Sequence, residues 1–296
     1  MSQGDTAVDF VQVLAPAKIN LGLSILAKRS DGYHEIRTFF QKVTLFDEIT
    51  IRRNPFQSGI SLTIDDPSVP SDGSNLAAQA AALLMRDCGI DCGITIHIKK
   101  RIPIGAGLGG GSSNAAATLL GINCLFNLNF SEETLRQRAV QLGADVPFFV
   151  MSAPTAYAAG IGEQLTPVQM RVPFWTLIVF PNIPIATAWA YATWSKYNSL
   201  TKREKHIKYI ASFDTLEDVV SNLWNDFEQV VFPAYPQIQQ LRDRLLNCGA
   251  RGALLSGSGS SVFGVFESYA ACASAHKVLG NEVGLRLFIA QTVPQS

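Results

Sequence analysis

Charge is scarce in this sequence. Charged residues make up only 16% of its 296 residues, and 24 lysines and arginines balance 24 aspartates and glutamates, so the formal net charge is zero. An average soluble domain carries about 25% charged residues. A neutral chain with 47% hydrophobic residues lacks the basic surface of a nucleic-acid-binding protein and the high net charge of a disordered one. We therefore expect a folded protein that binds no nucleic acid.

The missing charge is concentrated in three segments, residues 102–131, 146–162 and 172–195, none of which contains Asp, Glu, Lys or Arg. Each has about the length of a transmembrane helix. The first is rich in glycine, however, and the third contains prolines that would break a helix, and none of the three predicts a membrane span. The first ten residues, MSQGDTAVDF, lack the basic and apolar pattern of a signal peptide. We predict a cytoplasmic protein with no membrane partner.

Disulfide and metal-binding patterns are also lacking. The five cysteines are an odd number and form no CxxC pair, so we expect reduced, mostly buried thiols in a reducing compartment. The four histidines are widely spaced and do not form the clusters typical of structural zinc sites. The sequence therefore predicts no structural metal site.

What is present is an alternation of strand and helix patterns. The segment VQVLAPAKINLGLSIL alternates and is rich in β-branched residues, which predicts two strands with a short break. Segments rich in alanine and leucine after Asn75 and after the later glycine loop predict helices, and Asn75 is suited to cap the first. Ser131 caps a further predicted helix that ends at Gly143. At about 150 residues per domain, the length suggests two α+β or α/β domains.

A glycine loop, PIGAGLGGGSSN at residues 103–114, separates a predicted strand from a predicted helix. Glycines let a backbone close around an anion, and the helix presents its positive N-terminus to the same place, so a phosphate is the expected ligand. The loop is not a Walker A motif, because Gly111 stands where that motif needs lysine. It matches G-x-G-x-x-G, but no acidic residue for a ribose follows before Glu132. Dinucleotide binding and an unliganded turn remain alternatives.

The chain resembles the GHMP kinases in segments that follow the family's order: APAKINLGL (15–23), RSDGYHEIRTFFQ (29–41), PIGAGLGGGSSNAA (103–116), LGADVPFF (142–149) and GSGSSVFG (257–264). The resemblance implies the α+β fold of a two-domain GHMP kinase. A ribosomal-S5-domain-2-like, ATP-binding domain would span residues 1–168, and a ferredoxin-like domain residues 169–296. The resemblance also implies that the chain uses ATP and Mg²⁺ to phosphorylate an alcohol group of a small molecule.

Within the family, the element Asp31-Gly32-Tyr33-His34 is similar to that of members whose substrate carries a cytidine diphosphate moiety. Mevalonate- and homoserine-type members are the alternatives inside the family. A dinucleotide-binding oxidoreductase and a non-catalytic nucleotide-binding module are the alternatives from other classes. We expect a monomer or a weak homodimer.

The resemblance assigns two catalytic residues. Asp145 would be the base that activates the acceptor hydroxyl, and Lys18 would lie beside it, orienting it and stabilising the transferred charge. From the sequence alone, Asp145 suits an Asx turn equally well. Lys18 alone would also suit an outward-facing strand lysine that reaches water.

The resemblance assigns further residues to the two ligands. His34 would read the cytosine edge, Tyr33 and Tyr191 would stack on the two faces of its ring, and Asn20 and Thr187 would contact substrate; core packing is the alternative for Tyr191. The metal ligands are not identified, although Ser112 and Ser113 are suited to bind phosphate or Mg²⁺. The predicted ATP-binding residues are Asn75, Lys100, Pro103, Ile104, Gly105, Ala106, Gly107, Leu108, Gly109, Gly110, Gly111, Ser112 and Ser113.

Overall fold

The computed structural model describes residues 9–198 and 207–294. The chain forms two compact units, and both are discontinuous in sequence. Unit 1 contains the residues up to Pro16, Phe46–Ile102 and Gly110–Ser152, and unit 2 contains Ala17–Leu45, Pro103–Gly109 and the chain from Ala153 onward. The predicted domain boundary between residues 168 and 169 falls within unit 2 and stays a prediction. Residues 1–8, which carry most of the signal-peptide argument, lie outside the described residues.

Two long strands, β1 (Phe10–Lys28) and β2 (His34–Asn54), contribute residues to both units. β1 is a single strand, so the break predicted within it is wrong. Pro16 has no N–H to donate to a neighbouring strand, but it does not interrupt β1. The alternation on either side of this proline continues as one extended strand, in which Ala15 and residues 17–25 are buried.

Unit 1 combines the second half of β2 with two further strands and four helices. They are β3 (Ile60–Ile64), α1 (Leu76–Cys88), β4 (Gly93–Lys99), α2 (Gly110–Leu125), α3 (Glu132–Ala139) and α4 (Val146–Val150). β4 pairs antiparallel with β2 and parallel with β3. Ile94, Ile96 and Ile98 alternate along β4 and are buried, as a period of two requires. α1 packs against α2, and both α2 and α3 pack against α4.

The helices of unit 1 begin at capping side chains. Asn75 accepts a hydrogen bond from the Ala77 N–H at 2.9 Å, and Ser131 accepts one from the Thr134 N–H at 3.2 Å, so both predicted caps are confirmed. The predicted end of α3 at Gly143 is wrong. α3 ends at Ala139, because the residues after it turn back through hydrogen bonds to carbonyls three positions earlier.

Unit 2 contains a four-stranded antiparallel sheet with the order β11-β12-β8-β13. Together with α8 and α9, this order gives the β-α-β-β-α-β arrangement of a ferredoxin-like fold, with additional elements inserted after β8. Leu177 and Val179 of β8 are buried in one cluster with Leu241 and Leu245 of α8. The elements are β8 (Trp175–Phe180), α5 (Thr187–Asn198), β9 (Ser212–Phe213), α6 (Leu216–Ser221), β10 (Trp224–Asn225), α7 (Glu228–Ala234), α8 (Pro236–Asn247), β11 (Gly252–Leu255), β12 (Val262–Phe266), α9 (Tyr269–Leu279) and β13 (Arg286–Gln291).

Three further strands of unit 2 precede β8 in the chain. They are β5 (Thr155–Ala159), β6 (Gln164–Pro167) and β7 (Gln169–Met170). β10 pairs parallel with β1, β5 pairs antiparallel with β2, and β6 pairs antiparallel with β5. The short β7 pairs with β9. The first half of β2 therefore lies within the sheet, with its side chains held on fixed faces.

The five cysteines are all unpaired. The expectation that most are buried is wrong, because only Cys272 is buried and Cys124 is exposed. Cys88 and Cys92 lie on either side of the left-handed Gly89 that ends α1, where the chain turns at the surface. Across the described parts of the chain, no helix is long and apolar enough to cross a membrane.

Candidate active site

Lys18 is a buried cation in β1. Its side chain is only 5% exposed, so the alternative of a strand lysine that reaches water is wrong. The ammonium donates a hydrogen bond to Asn20 Oδ1 at 2.6 Å and lies 5.0 Å from the centre of the Phe40 ring. A buried charge is costly unless it is hydrogen-bonded or paired, so these contacts hold the ammonium in a defined place.

Asn20 continues this polar chain, since residues two apart on a strand share a face. Its amide donates to Thr38 Oγ1 at 2.8 Å, and Thr38 in turn donates to the Gly22 carbonyl. Asn20 Oδ1 is thereby fixed as the acceptor that faces the Lys18 ammonium. The two predicted residues Lys18 and Asn20 are therefore in direct contact.

The glycine loop needs glycine at three positions. Gly105, Gly107 and Gly109 have φ angles of +63°, +75° and +70°, in the left-handed region that other residues rarely adopt. A side chain at Gly107 would also overlap the carbonyl oxygen of Ser256. The loop backbone is therefore built to pass close to other backbone atoms, as a loop that surrounds an anion requires.

A second glycine- and serine-rich turn, residues 256–261 between β11 and β12, packs against the glycine loop. Ser256 Oγ donates to the Gly107 carbonyl at 3.0 Å, and the Ser261 N–H donates to the Ala106 carbonyl at 3.3 Å. On the opposite side of the loop, the Lys18 N–H donates to the Leu108 carbonyl at 3.0 Å. The loop is thus fixed between β1 and this turn.

The same turn approaches the Lys18 side chain. A Cβ atom at Gly257 would lie 3.5 Å from Lys18 Nζ and 3.4 Å from Asn20 Oδ1. Thr187, at the start of α5, reaches the turn through its hydroxyl, which lies 3.0 Å from Ser258 Oγ. Unit 2 therefore brings together Lys18, Asn20, Thr187 and the glycine loop.

His34 and Tyr191 form a stacked pair in unit 2. Their ring centres are 4.7 Å apart, with 18° between the planes. His34 Nε2 lies 2.6 Å from Ser195 Oγ, and Tyr191 meets the edge of Phe227. Burial, with a smaller contribution from the Lys28 charge, lowers the pKa of His34 below its usual 6.5. The imidazole is therefore mainly neutral at pH 7 and can either donate or accept a hydrogen bond.

Tyr33 and Tyr191, the two predicted stacking residues, differ in their exposure. Tyr33 is 60% exposed, and its N–H donates to Asp31 Oδ1 at 3.0 Å, which forms the turn before His34. Tyr191 packs against the hydrophobic core of unit 2 while its ring stacks on His34. Tyr191 therefore packs against the core, and its contact with the cytosine ring stays a prediction.

Asp145 lies in unit 1, at the turn that begins α4. The turn follows Gly143, whose φ is +157°, and Val146 and Pro147 after it are buried. Within the described chain, the Asp145 carboxylate makes no capping hydrogen bond to α4. Its role as the base stays a prediction.

The other predicted ATP residues of unit 1 lie around the beginning of α2. The Lys100 ammonium forms an ion pair with Asp47 and donates to Asn114 Oδ1 at 3.2 Å, so its predicted contact with nucleotide stays a prediction. Ser113 is buried, and its hydroxyl has no hydrogen-bond partner among the described residues. An unsatisfied buried hydroxyl is costly, so a ligand oxygen near Ser113 would remove this cost.

Sequence reasoning missed Asp47. It lies at a core position in the alternation of β2, among Val43, Leu45, Ile49 and Ile51, and its carboxylate is completely buried. An acidic residue on the apolar face of a predicted strand was the signal that would have identified it, because buried carboxylates need partners.

Two family models match the chain: the GHMP kinases N terminal domain over residues 75–153 and the GHMP kinases C terminal domain over residues 207–280. The 4-diphosphocytidyl-2-C-methyl-D-erythritol kinase of Citrifermentans bemidjiense is 44% identical over 265 residues, covering 90% of this chain and 92% of that protein. The chain belongs to the GHMP kinase family. The enzyme of the same name from Geobacter metallireducens is 46% identical over 254 residues, covering 86% of this chain and 88% of that protein.

Solved structures agree with this membership. A crystal structure of 4-(cytidine 5'-diphospho)-2C-methyl-D-erythritol kinase has a TM-score of 0.78 at 33% identity, covering 96% of this chain and 100% of that chain. The homoserine kinase from Cytophaga hutchinsonii and the L. major mevalonate kinase have TM-scores of 0.74 and 0.75 at 19% and 13% identity, which shows a shared fold alone. The predicted two-domain GHMP kinase fold and the prediction of a small-molecule kinase are confirmed.

Proposed function

We propose that this GHMP kinase transfers the terminal phosphoryl group of ATP to the 2-hydroxyl of 4-diphosphocytidyl-2-C-methyl-D-erythritol, in the non-mevalonate pathway to isoprenoid precursors. The 44% identity to a relative of that name over 90% of the chain supports this activity most directly. The stacked pair His34 and Tyr191 supports it independently, because an imidazole beside an aromatic ring suits the edge and face of a cytosine.

In this reaction the residues of unit 2 bind and orient the ligands. The glycine loop would hold the ATP phosphates with backbone N–H groups, while Lys18 would stabilise the negative charge of the transferred group. Asn20 and Thr187 would contact substrate near Lys18. The near-zero net charge is compatible with this arrangement, since backbone amides and one lysine supply the positive potential locally.

Asp145 would accept the proton of the 2-hydroxyl as the oxygen attacks phosphorus. Asp145 lies at the turn that begins α4, directly before the buried residues Val146 and Pro147. As an isosteric change, Asp145→Asn would keep this turn and remove the base.

A bound Mg²⁺ would neutralise phosphate charge during the transfer. The described residues contain no group of three or more His, Cys, Asp or Glu side chains that would enclose a metal ion. This composition fits Mg²⁺, which is usually held by substrate phosphates and water with one or two protein ligands. The hydroxyls of Ser112 and Ser113, at the beginning of α2, are suited to supply such a contact.

A panel assay tests the activity. ADP release is measured for wild type and Asp145→Asn with the cytidyl substrate, mevalonate and homoserine. We expect turnover by wild type with the cytidyl substrate only, and a loss of at least about 100-fold in kcat for Asp145→Asn. Turnover with mevalonate or homoserine instead would contradict the proposed substrate, and undiminished turnover by Asp145→Asn would exclude Asp145 as the base.

We also propose that the enzyme works in the cytoplasm as a monomer or weak homodimer. The five unpaired cysteines fit a reducing compartment. Gel filtration over a range of protein concentrations tests the oligomeric state, and a stable dimer at nanomolar concentration would contradict it.

A further inference from the structure

A single carboxylate in unit 1 binds residues on both sides of the glycine loop. Asp47 Oδ1 accepts hydrogen bonds from the Arg101 N–H at 2.7 Å and the Ile102 N–H at 2.9 Å. Asp47 Oδ2 accepts one from Asn114 Nδ2 at 2.8 Å. In the structure α2 begins at Gly110, so the loop itself comprises residues 103–109. Ile102 is the last residue before the loop, and Asn114 lies in the first turns of α2, after the loop. Asp47 thus links the two chain segments between which the loop is held.

Lys100 completes the network and explains how the charge of Asp47 is tolerated. Its ammonium forms an ion pair with Asp47 Oδ2 and also donates to Asn114 Oδ1. The Lys100 side chain is only 6% exposed, so the pair is shielded from water and from salt. Breaking a buried pair from one side leaves an uncompensated charge, which is strongly unfavourable. The ion pair therefore holds the Lys100 and Asp47 side chains, and with them Asn114, in one arrangement.

The first residue of α2 is adapted to this network. A Cβ atom at Gly110 would lie 3.0 Å from Ile102 Cγ2 and 3.2 Å from Lys100 Nζ. Both distances are shorter than ordinary van der Waals contact, so the absence of a side chain at Gly110 lets the two ends of the loop approach each other. Asp47, Lys100, Ile102, Gly110 and Asn114 therefore form one packed unit at the base of the loop.

Building on the proposed binding of ATP phosphates by the glycine loop, we propose that Asp47 is a positioning residue that sets the separation of the loop ends. Asp47 belongs to β2, a strand of the sheet, and so connects the ends of a glycine-rich loop to a rigid element. Flexible glycines lose much conformational entropy on ordering. When the loop ends are fixed in advance, less of that entropy is lost on binding ATP, which raises the affinity.

Asp47→Asn is the direct test. The amide keeps the size of the side chain and can still accept from Arg101 or Ile102, but its NH₂ group would face the donors of Lys100 and Asn114. We expect the Kd of a non-hydrolysable ATP analogue, measured by titration calorimetry, to rise about ten-fold, equivalent to about 1.4 kcal/mol. The KM for ATP should rise in parallel, while kcat and the KM for the second substrate change less than about three-fold.

Two controls separate positioning from a general loss of stability. Asp226 is also a buried aspartate that accepts a backbone N–H bond, from Ile25 at 2.7 Å. Its carboxylate also accepts hydrogen bonds from the side chains of Trp224 and Gln229, which do not belong to the loop. Asp226→Asn should lower the free energy of unfolding while leaving the Kd of the analogue unchanged. Hydrogen exchange should increase at residues 100–115 in Asp47→Asn, without a matching increase along β3. An equal rise in Kd for both variants, or exchange raised evenly through unit 1, would overturn the inference.

If Asp47→Asn does not fold, Asn114→Ala provides the same test with less disruption, because Asp47 keeps its bonds to Lys100 and Ile102. It should raise the Kd of the analogue about three-fold, and an unchanged Kd would overturn the inference. Binding of the analogue is measured without the cytidyl substrate. Wild type that binds the analogue but does not phosphorylate that substrate would therefore refute the proposed function alone.

Discussion

Glu228, at the beginning of α7, gives a prediction whose size follows from the structure. Its side chain is 19% exposed, and burial raises the pKa of the carboxyl from an ordinary 4.5 to about 7. The nearby Asp243 carboxylate adds to the rise, while the hydrogen bond from the Leu255 N–H, at 2.9 Å, and the Arg242 guanidinium oppose it. At about 1.4 kcal/mol for each pKa unit, ionising Glu228 costs the folded state about 3 kcal/mol.

The direction in which the free energy of unfolding changes with pH depends on which state loses the proton first. Below pH 4.5 the group is protonated in both states, so its burial costs nothing electrostatically. Between pH 4.5 and about 7 the unfolded chain loses the proton first, which favours unfolding. The contribution of Glu228 to the free energy of unfolding therefore decreases by about 3 kcal/mol across this window and is constant above it.

Glu228→Gln removes the ionisation and keeps an oxygen that can accept from Leu255. Urea unfolding of both proteins at several pH values should show the variant gaining stability over wild type as the pH rises from 4.5 to 7.5, by about 3 kcal/mol in total. Glu217→Gln, on an exposed side chain, controls for the loss of one negative charge. A stability difference between Glu228→Gln and wild type that does not change with pH would refute this reasoning.

Three further predictions concern the site. Gly107→Ala should lower the free energy of unfolding by more than about 1 kcal/mol, because a left-handed φ alone has roughly that cost for alanine and the new Cβ would overlap the Ser256 carbonyl. Calorimetric melting measures this loss, and an unchanged melting temperature would contradict the prediction. Lys18→Met should reduce kcat about 100-fold or more, and the protein should still fold because an apolar chain of similar length replaces the buried charge. Steady-state kinetics measures kcat and circular dichroism checks folding; a near-wild-type kcat would exclude a role of Lys18 in charge stabilisation. His34→Ala should raise the KM for the cytidyl substrate about ten-fold and leave the Kd of ATP nearly unchanged; weakened ATP binding instead would count against His34 as the cytosine-binding residue.

Local sequence signals predicted much of the fold. The caps Asn75 and Ser131 lie where predicted, because each depends on neighbours within a few residues. Helix α5 was not predicted, since its Trp and Tyr residues are more typical of strands. The break predicted in β1 came from the local sequence, and it does not occur because the strand continues along its neighbours in the sheet.

The parts of the candidate site that lie in short motifs could be predicted from the sequence, whereas contacts between residues far apart in the chain could not. The glycine loop and Lys18 were identified from short segments. The burial of Lys18 depends on Asn20, Phe40 and the turn at Gly257, and only the last of these is remote in sequence. The pairing of Lys100 with Asp47 joins residues 53 positions apart, and no local pattern specifies that partner.

The identity of the phosphorylated product tests the central claim most directly. Purified wild-type protein is incubated with ATP, Mg²⁺ and 4-diphosphocytidyl-2-C-methyl-D-erythritol, and the product is analysed by ³¹P and ¹H NMR. We predict one new phosphomonoester, coupled to the 2-position of the methylerythritol moiety, formed in equal amount with ADP. ADP formation without this phosphomonoester, phosphorylation at another hydroxyl, or no reaction by folded protein that binds ATP would contradict the account.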